Sequence, residues 1–593
     1  MKDHHFSFPI DPNRTDRVSH LNDLLGTHLA ELLDLIIPIS GGSDQRIEAF
    51  RLLNDRDTIY PLPSTAKNNG NIPGILDIYE PRIGYIRNLL ESMLRIVDVE
   101  KDGEIVTIDG FRLRHLEHWL SPSSGASDIL AHAASVCRLD CEFCYNKGSM
   151  PPLQPHPRQA DDVESLFTRI SHYVPNGKLG LFHCATSPCE ALDHPNIKDI
   201  LGCLREKTDE LIRIPTHGAT LTDEMVDFLA RLAPVSLDVS LNSASISRRQ
   251  WLMKDPEPRI ALDSLSLLQS ARIPFTVVIV PWPFPSESTM IEDLGETVRF
   301  AARHDATHIQ ISLPGYTRGF SCKTLFDQEG IWKAIKQEAM ILRDSVSCPI
   351  VLRPGIVEEY DDPIRMDLPL VAGVVKNSPA DRSGLAAKDC IERINGLKIK
   401  SRVHARALLN TIHQSDMHST SLSVRRDGST LDLTLKLNDH DYPYTRETDH
   451  HLGVVFPFSG IPQEWFENIE RAIAAHQGQN ILILSSPLVE PYMAKHLPEN
   501  GCLSGRNIYL RVPRNNYFGG NISMGDLLVV EDFILAISDF IDREGLRPDL
   551  VLIPSSPFHL SGWGRDLTGR VYLDIERHTN VKVALIECDP IYD

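Results

Sequence analysis

From residue 126 to residue 320, short apolar runs rich in β-branched residues alternate with stretches of helical periodicity. "LIRIP" leads into "LTDEMVDFLA", where Leu221, Met225, Phe228 and Leu229 recur at helical spacing. "VSLDVSL" leads into "SISRRQWL", and "IPFTVVIVPWP" and "ATHIQISLPGYTRG" follow with "MIEDLGETVRFAARH" between them. Two further apolar runs, "DILAHAAS" and "LGLFHCA", stand upstream. Strands that alternate with helices imply a parallel sheet. Such a sheet gathers its functional groups on the loops at the carboxyl ends of its strands.

One of those loops is unusual. "CRLDCEFCYNKGSM" spaces Cys137, Cys141 and Cys144 as CxxxCxxC, in a chain with 11 cysteines among 593 residues. A structural zinc site needs a fourth ligand and usually a second CxxC, and the sequence has none. Three thiolates on one short loop suit three irons of a cubane cluster, with the fourth iron left open. A zinc site and a chance group of thiols remain the alternatives.

The motif and its context resemble the radical S-adenosylmethionine (radical SAM) superfamily, whose signature CxxxCxφC has an aromatic residue at φ, here Phe143. The resemblance implies a 4Fe–4S cluster on Cys137, Cys141 and Cys144. Its open iron would chelate S-adenosylmethionine, which one electron cleaves to methionine and a 5′-deoxyadenosyl radical. The family's second strand ends in a GGEP-like motif that binds the amino group of that cofactor. Pro188, Cys189 and Glu190 match it here, and only the acid is kept. Thr216, His217 and Gly218 resemble the turn after the third strand. Ser240 and Arg249 fall where a serine and an arginine would meet the cofactor carboxylate, a pairing suited to the guanidinium fork. Arg248 is an equally basic neighbour, and Asn242 is expected at the ribose.

The implied fold is α/β, a partial (β/α)6 TIM-type barrel over residues 126–361. Residues 1–125 read as mainly helical, with Leu21, Leu24, Leu25, Leu29, Leu32 and Leu33 on one face and "YIRNLLESMLRIV" similar. Residues 362–440 resemble a β-rich PDZ domain through Ser378-Pro379-Ala380, Gly384-Leu385 and "CIERINGLKI", with a hairpin at Asp427-Gly428. The usual glycine-rich carboxylate loop is not evident in "MDLPLVAG". Residues 445–593 resemble the uncharacterised carboxyl-terminal α/β domain of PDZ-containing radical SAM proteins. Its "NNYFGGNIS" sets two glycines after an aromatic, which suits either a tight bend or a close backbone approach to a ligand.

Composition decides partners. With 60 basic and 80 acidic residues the formal charge is −20, which argues against nucleic acid or anionic membrane as a general partner. No apolar run approaches the roughly 18 residues of a membrane span, and the expected location is cytoplasmic. The expected partners are an organic substrate, a flavodoxin- or ferredoxin-type electron donor, and a peptide ligand for the PDZ domain. No cysteine group matches the auxiliary clusters of peptide-modifying relatives, which favours a small-molecule or natural-product substrate. A peptide substrate recruited by the PDZ domain, or a non-catalytic iron–sulfur scaffold, is the alternative.

Overall fold

The computed structural model describes residues 96–101, 104–109, 137–144, 163, 167, 170, 190–209, 211–320, 326–357, 359, 368–413, 415, 417–437, 451–457, 460–461, 463–476, 478–497, 505–558, 566–568, 570–586 and 588. Contacts divide the chain into two compact units. One holds residues 123–463 and 518–522, the other residues 464–517 and 523–590.

Strands β1 (Ile96–Lys101) and β2 (Glu104–Asp109) form an antiparallel hairpin, with Ile96 opposite Asp109. The helical reading of "YIRNLLESMLRIV" is corrected at its end, because Ile96 and Val97 belong to β1. The leucine-rich helix expected before it lies outside the described residues.

The larger unit is built on α1 (Ile197–Lys207), β3 (Ile212–Thr216), α2 (Asp223–Arg231), β4 (Val235–Ser240), α3 (Ile246–Met253) and α4 (Pro258–Ala271). It continues through β5 (Phe275–Ile279), α5 (Glu287–Arg303), β6 (His308–Ser312), α6 (Gln328–Ser345) and β7 (Ile350–Arg353). The five strands pair in parallel, in the order β3-β4-β5-β6-β7. Expected strands three to six are β3 to β6, and β7 adds a strand that the sequence reading did not count. The first two expected strands lie outside the described residues. Ile214, Val239, Val277 and Ile311 from the sheet pack with Leu229, Leu265, Val298 and Ile335 from the helices, all buried. Helices α2, α5 and α6 start on a side-chain cap: Thr222 Oγ1 accepts from the Met225 N–H, Ser286 Oγ from Thr289 and Asp327 Oδ2 from Gly330. These caps end the loops at fixed points.

The PDZ-like part contains β8 (Gly373–Val374), β9 (Cys390–Ile394), β10 (Leu397–Lys398), α7 (Arg402–His413), β11 (Ser419–Arg426) and β12 (Ser429–Lys436). An antiparallel sheet runs β10-β9-β11-β12, and the β11–β12 turn places Asp427 at φ 48° and Gly428 at φ 81°. A further strand packs on this part. Strand β13 (Val454–Val455) pairs antiparallel with β8, and Leu452, Val454 and Phe456 share a buried cluster with Val371, Leu409 and Ile412. The buried cluster of this part therefore includes residues as far as Phe456. Its glycine turn is also found there, since Leu452 (φ 59°) and Gly453 (φ 88°) are left-handed directly before β13. A Cβ at Gly453 would lie 1.9 Å from Ser378 Oγ, so only glycine fits. The Leu452 N–H donates to His413 Nδ1 at 3.3 Å, and burial holds His413 down to about 4, leaving it a neutral acceptor.

In the other unit β14 (Asn480–Leu484), β15 (Asn507–Arg511), β16 (Leu550–Pro554) and β17 (Val583–Ile586) form a parallel sheet in the order β15-β14-β16-β17. Phe533, Ile537 and Phe540 of α8 (Val530–Glu544) pack with Leu482, Leu484 and Val551. This matches the expected α/β character of residues 445–593. Among the described residues no helix is long and apolar enough to cross a membrane.

Candidate active site

The cysteine loop is seated on the end of α3. The Asp140 N–H donates to Met253 O at 3.2 Å and the Glu142 N–H to Leu252 O at 2.8 Å. Lys254 Nζ pairs with Glu142 Oε1 at 2.5 Å, an exposed contact of small worth. Below, Leu139 packs with Ala219, Leu252, Met253 and Trp282, while Cys137, Cys141 and Phe143 lie half-buried against them. Phe143 stands 6.3 Å from the Trp282 ring, so this aromatic anchors the loop to the barrel.

A buried acid–imidazole group stands beside Cys137. Glu190 precedes a short helical turn, Ala191–Asp193, and makes no cap bond to it. Its carboxylate turns instead to the end of β3, accepting from Thr216 Oγ1 at 2.8 Å and from the His217 N–H at 2.6 Å. Burial raises its pKa, against the lowering effect of His217. Asp193 accepts from the Arg138 backbone N–H at 2.8 Å and from Arg138 Nε at 2.6 Å, and lies 3.1 Å from His217 Nε2. Burial opposes its charge, but His217 and Arg138 outweigh burial and hold its carboxyl below the usual range. Burial likewise opposes protonation of His217, yet Glu190, Asp193 and Cys137 push it up to about 10. Ligand atoms of Cys137, Asp193 and His217 lie within 4.8 Å of one another.

Asp193 was missed in the sequence. The available signal was its spacing, three residues after Glu190, which puts both acids on one face of a helical turn. Asp193 ties the cysteine loop to β3 through Arg138 and His217. Asp193→Ala is therefore expected to keep the iron that the loop binds but to speed its loss in air severalfold. Bleaching of the visible absorbance measures this; an unchanged rate means the loop is braced elsewhere.

The two arginines are not where the resemblance put them. Ser245 caps α3 by accepting from the Arg248 N–H, and both arginines follow in the first turns. Arg249 is fully buried, and four of its five donors are used by the protein: Nε on Asp255 at 2.8 Å, Nη1 on the carbonyls of Ser240 and Leu241, Nη2 on the carbonyl of His217 at 2.5 Å. Burial lowers its pKa and Asp255 opposes that. It braces the ends of β3 and β4 and is not presented to a cofactor carboxylate. Arg248 is spent as well, on Asp293 and on the carbonyls of Trp282 and Phe284. Asn242, at φ 60°, accepts from the Val280 N–H and donates to Ser240 O and Met253 Sδ. That consumes the amide expected at the ribose. Ser240 ends β4 half-buried, and its hydroxyl makes no hydrogen bond among the described residues. Pro188 and Cys189 lie outside the described residues.

The donor set fits a cluster. Three soft thiols on one loop would bind separate irons of a cubane, so they need not converge on one point, and an apolar floor lies beneath them. Residues 134–301 match the family model of the Radical SAM superfamily. Enzymes of this superfamily use a 4Fe–4S cluster and S-adenosylmethionine, and this chain carries their domain. Residues 357–437 match a PDZ domain, so the chain combines the two. No curated protein matches the sequence. Among solved structures, Streptococcus suis SuiB bound to precursor peptide SuiA is 14% identical over 37% of this chain and 47% of that one, with a TM-score of 0.28. SuiB alone is 16% identical over 37% and 47%, with a TM-score of 0.28. SuiB bound to S-adenosylmethionine is 14% identical over 37% and 49%, with a TM-score of 0.29. The matched region spans about half the length of these structures.

Proposed function

We propose that this chain reductively cleaves S-adenosylmethionine at a 4Fe–4S cluster on Cys137, Cys141 and Cys144 and abstracts hydrogen from an organic substrate. The observation that carries the reading is the cysteine loop seated beside the buried Glu190 at the strand ends. When bound to Cys137, Cys141 and Cys144, the cluster would supply one-electron reduction of the sulfonium and so the means of hydrogen abstraction from the substrate. Glu190 would receive the cofactor's amino group, and the accepting capacity of its oxygens beyond Thr216 and His217 supports this role. The Ser240 hydroxyl is the group left for the carboxylate. Leu139, Met253 and Trp282 form the apolar floor beneath the loop. A flavodoxin- or ferredoxin-type protein is the electron donor, and the location is cytoplasmic.

The substrate proposed is a small molecule or natural product, because the remaining cysteines form no second cluster motif. One observation favours a second reading, a peptide substrate recruited by the PDZ domain: β13 supplies the glycine turn missing from "MDLPLVAG". Strand alternation then turns the amide and carbonyl of Val454 away from β8, to the edge where Leu452 meets α7. Incubation of the anaerobically reconstituted protein with dithionite and S-adenosylmethionine tests the main proposal. Slow release of 5′-deoxyadenosine is expected without substrate, and a cluster that forms yet cleaves nothing with any reductant favours the scaffold.

A further inference from the structure

The "NNYFGGNIS" glycines do allow a close approach, and the backbone they approach is the barrel's own. Residues 518–522 belong to the barrel unit although their sequence neighbours lie in the C-terminal sheet unit. They run along the loop that follows β6. The Arg318 N–H donates to Phe518 O at 2.7 Å and the Asn521 N–H to Tyr316 O at 3.0 Å. The Tyr316 N–H donates to Asn521 Oδ1 at 2.6 Å. Gly519 and Gly520 are left-handed at φ 62° and 65°. A Cβ at Gly520 would sit 2.1 Å from Tyr316 O, and one at Gly519 would sit 3.0 Å from Arg318 Cβ. No side chain fits between the two segments.

The braced loop reaches the cysteine site. Tyr316 and Phe320 join the cluster of Trp282, Phe143, Cys137 and Cys141. Tyr316 lies 5.1 Å from Phe326, which is 5.5 Å from Trp282 by ring centroids. A second observation concerns Asn521 itself. Donation from the Tyr316 N–H fixes Oδ1 as the inward acceptor and so fixes Nδ2 as the other end. Nδ2 is buried with no hydrogen-bond partner among the described residues. A buried donor left unpaired is a costly feature that a bound acceptor would relieve.

We propose that Phe518–Ile522 completes the cofactor site: Gly519 and Gly520 let it clamp the loop after β6, and Asn521 Nδ2 donates a hydrogen bond to bound S-adenosylmethionine. This rests on the reading of the barrel as a site for that cofactor. It makes Asn521 a binding residue and the two glycines positioning residues, all supplied from far outside the barrel sequence.

The test uses the full chain, reconstituted anaerobically. Asn521→Asp keeps an acceptor for the Tyr316 N–H and removes the donor. It should leave iron content and slow hydrogen exchange at the Tyr316 amide unchanged, and weaken S-adenosylmethionine about tenfold. Titrations with adenosine and with methionine then tell which half of the cofactor carries the acceptor. Gly520→Ala should speed exchange at the Tyr316 and Arg318 amides and weaken S-adenosylmethionine by a similar factor. An Asn521→Asp protein with a slow Tyr316 amide and wild-type affinity overturns the donor role. A Gly520→Ala protein with wild-type exchange and affinity overturns the clamp, and decides the matter even if Asn521→Asp loosens the loop. A wild-type chain that takes up iron but binds no S-adenosylmethionine would overturn the underlying reading instead.

Discussion

With Cys137, Cys141 and Cys144 all replaced by alanine, the reconstituted protein is expected to hold almost no iron, against about four irons and four sulfides per wild-type chain. The loop should survive the change. Most of its seat, the Asp140 and Glu142 amides, Leu139 and the Phe143–Trp282 contact, does not involve the cysteines, of which Cys137 and Cys141 add only half-buried packing. Loss of iron with an unchanged thermal melt therefore assigns the sulfurs as ligands rather than as filler. Iron and sulfide analysis after anaerobic reconstitution is the measurement. The competing arrangement is a single ion on Cys137, Asp193 and His217, whose ligand atoms lie within 4.8 Å of one another. That donor set of sulfur, oxygen and nitrogen suits zinc. It predicts stoichiometric zinc that survives Cys144→Ala and is lost in Asp193→Ala, and this pattern would sink the cluster.

What could be read in the sequence follows from which interactions are local. The alternation of strands and helices was legible because burial imposes its period residue by residue, as in β3 and α2. The thiol loop was legible because all three cysteines lie within eight residues. Arg249 was misjudged for a physical reason. A sequence displays the donors of a guanidinium but not how many of them the fold uses, and here Asp255 and three carbonyls from the ends of β3 and β4 use the fork. The pairing of β13 with β8 was not legible because β13 follows β12 only after residues 438–450. The clamp on the loop after β6 was hidden for the same reason at greater range, since Tyr316 and Asn521 are 205 residues apart. The glycine pair showed that something comes close there, and only the fold shows what.

Arg249→Ala is expected to cost about 3–5 kcal/mol of stability, the range for breaking a buried ion pair from one side. Both partners of the Arg249–Asp255 pair are fully buried, so the variant leaves a carboxylate with no countercharge and no access to water. It also takes the donor from the carbonyl of His217 and one of the donors from those of Ser240 and Leu241, which sit at the strand ends that carry the site. Arg249→Lys should recover only part of the loss, because one ammonium cannot reach along four directions that a planar fork covers. Arg249→Ala with Asp255→Ala should be less damaged than Arg249→Ala alone, since the uncompensated charge is gone. Urea denaturation of the three variants measures these differences. Weakened S-adenosylmethionine binding would accompany the loss of stability as a consequence of displaced strand ends. The contrary result is equally clear: an Arg249→Ala protein as stable as wild type, with only its affinity for S-adenosylmethionine reduced, would return the guanidinium to the cofactor carboxylate.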